Sequence, residues 1–299
     1  MTTSALPRFA VVAAGSMGSA IANKLTTAGC TVYTNLDGRS EATRQRAKEA
    51  GMIDVSLVDM VAKANWILSI LPPRDALSFA EKIRDAAATH SGNEPRVFAD
   101  CNAVNPETVK RIAGVFAGTG IKFIDVGIFG GPPEDGHDPI IYASAAAEDG
   151  DVLAEFASFT KYGLKVSPLK GEGVGVGDAS ALKISHAGIY KGTVGSYTTM
   201  ILAAHASSPA TAEALMKFLS ISHPAVLDQV VKTVPTMLPR AYRWVGEMEE
   251  IADFVGGKEG DVYRGLAEVY ERVGKSLDGD QADVDVLKKF VEDAKNMQK

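Results

Sequence analysis

RFAVVAAGSMGSAIANKL, residues 8–25, is the stretch on which the fold turns. Arg8 to Ala13 is an apolar run of strand length. The segment from Ser16 to Gly29 then places apolar residues at helical spacing, with Gly29 as its stop. Between them lies Ala13-Ala14-Gly15-Ser16-Met17-Gly18, a G-x-G-x-x-G fingerprint with alanine at its first position. Such a loop turns tightly and aims backbone N–H groups and a helix N-terminus at a pyrophosphate. Gly15 admits the ligand close to the backbone, and Gly18 allows helix and strand to pack. A glycine-rich turn alone is weak evidence, but its place between a strand and a helix supports the reading. Ala14, Gly15, Ser16, Met17 and Gly18 are therefore the expected pyrophosphate contacts.

Working outward, strand-like and helix-like runs alternate, the signature of a parallel sheet with crossover helices. Further strands are expected at 31–36, 65–71, 96–102, 121–131, 139–145 and 164–170. Ser40 reads as the N-cap of a helix through residue 51. Near residue 170 the composition changes. A glycine-rich stretch leads into a small, apolar run from Ala179 to Ala206, which must be covered on all sides. Only helical patterns follow, and the charged last ten residues are expected to fray. The fold expected is an α/β doubly wound Rossmann domain over 1–170, followed by an all-α domain over 171–299.

Bulk properties narrow the function. A chain of 299 residues with 46% apolar and 23% charged residues has the size of two domains and an ordinary globular composition. Its net charge of −6 argues against a nucleic-acid partner. Cys30 and Cys101 have no metal-site spacing and read as reduced thiols, so no metal is expected. With no leader-like start and no apolar run long enough to span a bilayer, the cytoplasm is the expected location.

The end of the second strand bears on the cofactor. An NAD site commonly places an acid there for the ribose hydroxyls. This strand ends Tyr33-Thr34-Asn35, followed by Arg39, Ser40 and Arg44. A guanidinium and hydroxyls at a helix start suit a 2′-phosphate, which points to NADP. Asp37 in the acidic role, or a plain solvated helix start, are the competing readings.

Together with the loop, four later segments resemble the β-hydroxyacid dehydrogenase and 6-phosphogluconate dehydrogenase superfamily, in particular its members with a short helical C-terminal domain. SILPPRDAL (69–77) resembles the family's loop beside the nicotinamide, which implicates Leu71 and Pro72. DCNAVNPET (100–108) resembles its D-x-N-x-x-x-P segment and would put Asn102 at the nicotinamide ribose; by itself, an asparagine there is more simply a helix cap. DVGIFGGPPEDG (125–136) resembles the substrate loop, with Gly130 and Gly131 offering N–H groups. Phe129 stands where a serine is common, implying a more apolar pocket.

GVGDASALKISHAG (175–188) is the most specific match. The resemblance makes Lys183 the general acid/base and His186, one turn on, its companion. A lysine in an apolar run has its charged form disfavoured and can exchange a proton near neutrality. Ala187 removes an amide that the family often has. Tyr190 stands where decarboxylating relatives carry a glutamate, which argues against phosphogluconate decarboxylation. Arg240, Tyr242, Arg243 and Trp244 belong to a helix that either walls the substrate pocket, Arg243 meeting an anion, or forms a helix interface.

The resemblance implies hydride transfer between NADP and a small β-hydroxy acid or related carbonyl compound, with a homodimer whose helices complete each other's sites. An imine or ketone reductase and a non-catalytic NADP(H) sensor are the alternatives.

Overall fold

The computed structural model describes residues 6–89, 96–134 and 136–297. The chain forms two compact units, Met1–Lys183 and Ile184–Lys299. That division falls inside a helix.

The first unit contains β1 (Arg8–Val12), α1 (Ser16–Thr27), β2 (Thr31–Thr34), α2 (Glu41–Glu49), β3 (Ile53–Asp54), α3 (Leu57–Lys63), β4 (Trp66–Ser69) and α4 (Ala76–Ala88). It continues with β5 (Val97–Asp100), α5 (Pro106–Val115), β6 (Lys122–Phe129), β7 (Ile140–Ser144), α6 (Gly150–Ala157) and β8 (Lys165–Pro168). The strands form one sheet in the order β3-β2-β1-β4-β5-β6-β7-β8. All neighbours run parallel except β6 and β7, which pair antiparallel through a hairpin. The order reverses beside β1, and the carboxyl edge at such a switch point is where α/β sheets bind ligands. β3 was not expected from the sequence: two exposed residues carry too little pattern to be seen.

Alternation along the strands gives the sheet two apolar faces. Phe9 and Trp66 meet Phe156 and Phe159 on one face. On the other, Phe98 packs against Phe116 and Phe123. Gly18 fits only because it lacks a Cβ, which would collide with the Ala13 carbonyl. The expected close approach of helix to strand is therefore present. Gly127 is similarly constrained, since a Cβ would come within 2.9 Å of the Phe129 ring and 3.0 Å of the Ala179 carbonyl oxygen.

α7 (Asp178–Ser207) leads out of the first unit. The second unit continues with α8 (Pro209–Ser222), α9 (Pro224–Met237), α10 (Ala241–Val255), α11 (Gly257–Asp278) and α12 (Ala282–Met297). The glycines of α7 form a packing stripe. Gly188, Gly192 and Gly195 lie against Tyr263, Leu266 and Tyr270 of α11, and a Cβ on Gly195 would come within 2.9 Å of Leu266. Its hydroxyls are satisfied within the helix: Thr198 and Thr199 each donate to the carbonyl four residues back at 2.8 Å.

α7 keeps apolar side chains exposed, Ile189 at 72% and Met200 at 59%. One expectation is corrected. The C-terminal residues do not fray before Met297: α12 buries Val284, Leu287, Phe290, Val291 and Ala294 against the helical core. Among the described residues, no helix is long and apolar enough to cross a membrane.

Candidate functional site

At the carboxyl edge of β1, Gly15 precedes α1, and no side chain caps the helix. The first-turn N–H groups are thus left for something else. A Cβ built on Gly15 would meet nothing within 4 Å, so the loop is an open cradle. Ser19 Oγ donates to the Gly15 carbonyl at 2.7 Å and stiffens the turn from behind. This arrangement fits a pyrophosphate. Arg46, which the sequence reading missed, reaches from α2 to donate through Nε to the Ala14 carbonyl at 3.2 Å and through its guanidinium to Thr43 Oγ1 at 3.0 Å. No local pattern pairs residue 46 with residue 14.

Beyond β2 the structure separates the expected contacts. Ser40 caps α2, accepting from the Thr43 N–H, as its sequence position implied. Asn35 donates to Asp37 at 2.9 Å and to the Val55 carbonyl at 3.0 Å. Arg44 donates to the Leu36 carbonyl at 2.6 Å and lies 3.6 Å from Asp54. Both side chains therefore brace the loop. Arg39 is exposed; its N–H donates to the Leu36 carbonyl at 3.1 Å, but its side chain has no hydrogen-bond or ion-pair partner among the described residues.

Asn102 is buried and fully engaged as a donor. Its Nδ2 donates to Ser69 Oγ at 2.9 Å and to Asp100 Oδ1, while its Oδ1 accepts from the Leu71 N–H at 2.6 Å. Leu71 begins the loop to exposed Pro72, so Asn102 ties that loop to the end of β5. Beside it, Asp100 is buried, and its Oδ2 has no hydrogen-bond partner among the described residues. Burial pushes the Asp100 carboxyl up to about 7, with the charge of Asp125 adding to the effect against the Asn102 hydrogen bonds. Cys101 is buried too, and burial lifts its thiol well above the usual range.

Lys183 stands in the second turn of α7, half-buried and without a hydrogen-bond or ion-pair partner among the described residues. Burial lowers its amine below the ordinary lysine value, against the upward pull of Cys101, Asp125 and Asp100. A lysine so placed can give and take a proton. In the hairpin after β6, Gly130 adopts φ +117° and Gly131 is open, while Phe129 packs edge-on against Tyr142 at 5.1 Å.

The remaining expected residues lie in the helical unit. His186 and Tyr190 are exposed on α7. Arg243 sits 3.7 Å from Glu247 one turn on, and Glu247 also pairs with Lys191. Trp244 is buried between Tyr190 and Tyr270, with ring centroids at 5.9 and 5.2 Å, so it belongs to the helical core. Tyr242 remains exposed. Among the described residues, no group of three or more His, Cys, Asp or Glu side chains is arranged to hold a metal ion.

The strand order, glycine cradle and uncapped helix define a dinucleotide-binding domain of the Rossmann class. Residues 8–163, more than half of the chain, match the family described as the NAD binding domain of 6-phosphogluconate dehydrogenase, and the chain belongs to that family. Residues 206–273 match a second family, Domain of unknown function (DUF1932). No curated protein matches the sequence. Solved structures share the fold. The conserved protein MTH1747 of unknown function, described as structurally similar to 3-hydroxyacid dehydrogenases, is 23% identical with a TM-score of 0.70, over 90% of this chain and 97% of that one. The 3-hydroxyisobutyrate dehydrogenase of Mycobacterium tuberculosis, solved with L-serine, is 14% identical with a TM-score of 0.56, over 73% and 72%. An imine reductase variant from Myxococcus stipitatus, solved with NAD+, is 17% identical with a TM-score of 0.53, over 96% and 100%.

The Asp100 environment sets a pH dependence. A carboxyl at about 7 in the folded chain and about 4 in the unfolded chain binds its proton more tightly when folded. Its contribution to stability is therefore present in acid and is lost as pH rises from about 4 to about 7. Urea denaturation across that window should show the wild type losing stability relative to Asp100→Asn. Parallel curves for the two proteins would show that Asp100 does not hold its proton.

Proposed function

We propose that this chain is an NADP-dependent oxidoreductase acting on a small β-hydroxy acid or a related polar carbonyl compound. The observation that carries the proposal is Lys183: a half-buried, unpaired amine with a depressed proton affinity, at the head of α7. The Ala14–Gly18 loop holds the pyrophosphate, and Leu71 and Pro72 flank the nicotinamide. Asn102 acts through Leu71, since both of its N–H donors are used within the protein. When bound, the nicotinamide donates hydride in reduction and accepts it in oxidation. Lys183 Nζ gives a proton to the carbonyl oxygen in the first direction and takes the hydroxyl proton in the second. Gly130 and Gly131 orient the substrate's oxygens through their N–H groups, Phe129 gives the pocket an apolar wall, and His186 assists Lys183. Tyr190 and Arg243 complete the substrate contacts. An imine or ketone reductase is the second reading, favoured by the full-length likeness to an imine reductase.

The expected result for Lys183→Ala is retained NADPH binding with turnover reduced about 10²–10⁴-fold, the usual contribution of a general acid/base. NADPH oxidation assayed against hydroxy-acid precursors, aldehydes and cyclic imines checks this and separates the two readings. NADPH binding with no oxidation across the panel would make the chain a cofactor sensor, and more than half the wild-type rate in the variant would remove Lys183 from the mechanism.

Preference for NADP rests on Arg39, the arginine at this end of β2 that the loop leaves unpaired. Replacing it with alanine should weaken NADPH by about 1.5–3 kcal/mol, the range for a hydrogen bond to a charged group, and leave NADH unchanged. Calorimetric titration of both cofactors decides; equal affinities in the wild type would refute the preference.

The exposed stripe of α7, with Ile189 and Met200, and the exposed Phe218 and Ile221 of α8 support a homodimer in which a second copy covers these apolar side chains. Light scattering at sub-micromolar concentration should find the dimer. A fully active monomer of 31.5 kDa would exclude it.

A further inference from the structure

Four neighbouring strands place Ser69, Asp100, Asp125 and Ser144 at matched register positions. Each is essentially without exposed surface, so the sheet carries a buried polar row across its carboxyl edge. Two carboxyls stand side by side in that row, and the donors divide them unequally. Asp125 accepts from the Ser180 N–H at 2.9 Å, from Ser180 Oγ at 2.7 Å and from Ser144 Oγ at 3.3 Å. Among the described residues, Asp100 accepts only on Oδ1, and only from Asn102, while its Oδ2 has no partner. Like charges at this spacing oppose one another, so the better-solvated member of the pair keeps the negative charge. That member is Asp125.

What satisfies Asp125 is the start of α7. The Ser180 N–H is one of the donors that a helix leaves unpaired in its first turn, and the Ala179 N–H beside it is taken by Ser144 Oγ at 3.1 Å. A buried carboxylate at that end also meets the positive pole of the helix. The approach is close because β6 carries Gly127 where a side chain would strike the Ala179 carbonyl. Lys183 follows Ser180 by three residues and so stands one turn further along the same side of the helix.

We propose that Asp125 is a positioning residue for Lys183: its carboxylate anchors the first turn of α7 through Ser180 and Ser144, and so fixes where the amine stands and supplies a buried negative charge within its electrostatic reach. The charged and titratable groups that act on that amine are Asp100 at the end of β5, Cys101 just beyond it and Asp125 on β6. Asp100 belongs instead to Asn102 and the Leu71 loop. The proposal rests on the reading of Lys183 as the proton-transfer group, and its test includes a readout that does not need catalysis.

The full-length protein is compared as wild type, Asp125→Asn, Ser180→Ala, Asp100→Asn and the Asp100→Asn/Asp125→Asn double variant. Folding is followed by circular dichroism and NADPH binding by titration. The accessibility of Lys183 to acetic anhydride is followed against pH by mass spectrometry. Removing Asp125 should lower turnover by about tenfold to a hundredfold, the cost of misplacing a reacting group by about an ångström, with NADPH affinity unchanged. In the Asp100→Asn background, where no second carboxylate can take over the charge, removing Asp125 should move the Lys183 labelling midpoint to lower pH by about one unit. Ser180→Ala keeps the charge; it should leave the midpoint in place and lower turnover, and it serves if Asp125→Asn does not fold. An unmoved midpoint in the folded double variant, or full turnover in Ser180→Ala, would overturn the proposal. If Lys183→Ala itself retains turnover, the catalytic reading fails, and the labelling midpoint still reports whether Asp125 governs the amine.

Discussion

Asp125 lies on β6, between β5 and β7, with no surface exposed to water, where a carboxylate without donors would cost several kcal/mol. The donors that settle it come from residues far along the chain, in the hairpin strand β7 and at the start of α7. Satisfying one buried charge therefore requires the sheet to be complete through β7 and the long helix to begin at one fixed point. Gly127 makes room for that start, and the small residues Ala179 and Ser180 let it come close. Lys183 follows Ser180 by three residues on the helix that begins there.

The same edge of the sheet carries a second hub. Asn102 draws the end of β4, the Leu71 loop and Asp100 into one network, so that β5 sets the path of a loop more than thirty residues earlier. Nearer β1, Arg46 does a similar task for the glycine loop by holding the Ala14 carbonyl from α2. In both places a polar side chain is spent on shaping backbone, which leaves the open N–H groups of the loop and α1 to face a ligand. Pre-organisation of this kind lowers the ordering cost of binding.

The helical unit solves a different problem. A 30-residue helix rich in glycine, serine and threonine has little apolar bulk of its own, so it packs by close approach. Its glycine stripe admits the aromatic rings of α11, and its hydroxyls turn inward to their own backbone. Trp244, Tyr190 and Tyr270 then meet edge to face at one end, with the Lys191 ammonium 5.5 Å from the Trp244 ring centre. Ile189 and Met200 of α7 remain exposed among the described residues.

Much of this was legible in the sequence, wherever the governing interactions are local. The apolar run, the tight glycine loop and the following helix lie within a few residues of one another, so 8–25 announces the Rossmann unit. Ser40 caps its helix because a cap acts three residues away. The small apolar run from Ala179 predicted the long helix, although not the strand at Ile53–Asp54, whose only pattern is its pairing with β2. Tertiary structure alone decided which polar groups are free. Arg44 and Arg39 look equivalent in the sequence, yet the Arg44 guanidinium is held by Leu36 and Asp54 while that of Arg39 is not. Asn102 reads as a ligand contact or a cap, but its amide is used inside the protein. Asp100 and Asp125 are two acids in separate segments until strand register sets them side by side and donors from α7 choose between them. A residue's hydrogen-bond partners are set by the crossing of distant segments, and no pattern of nearest neighbours contains that information.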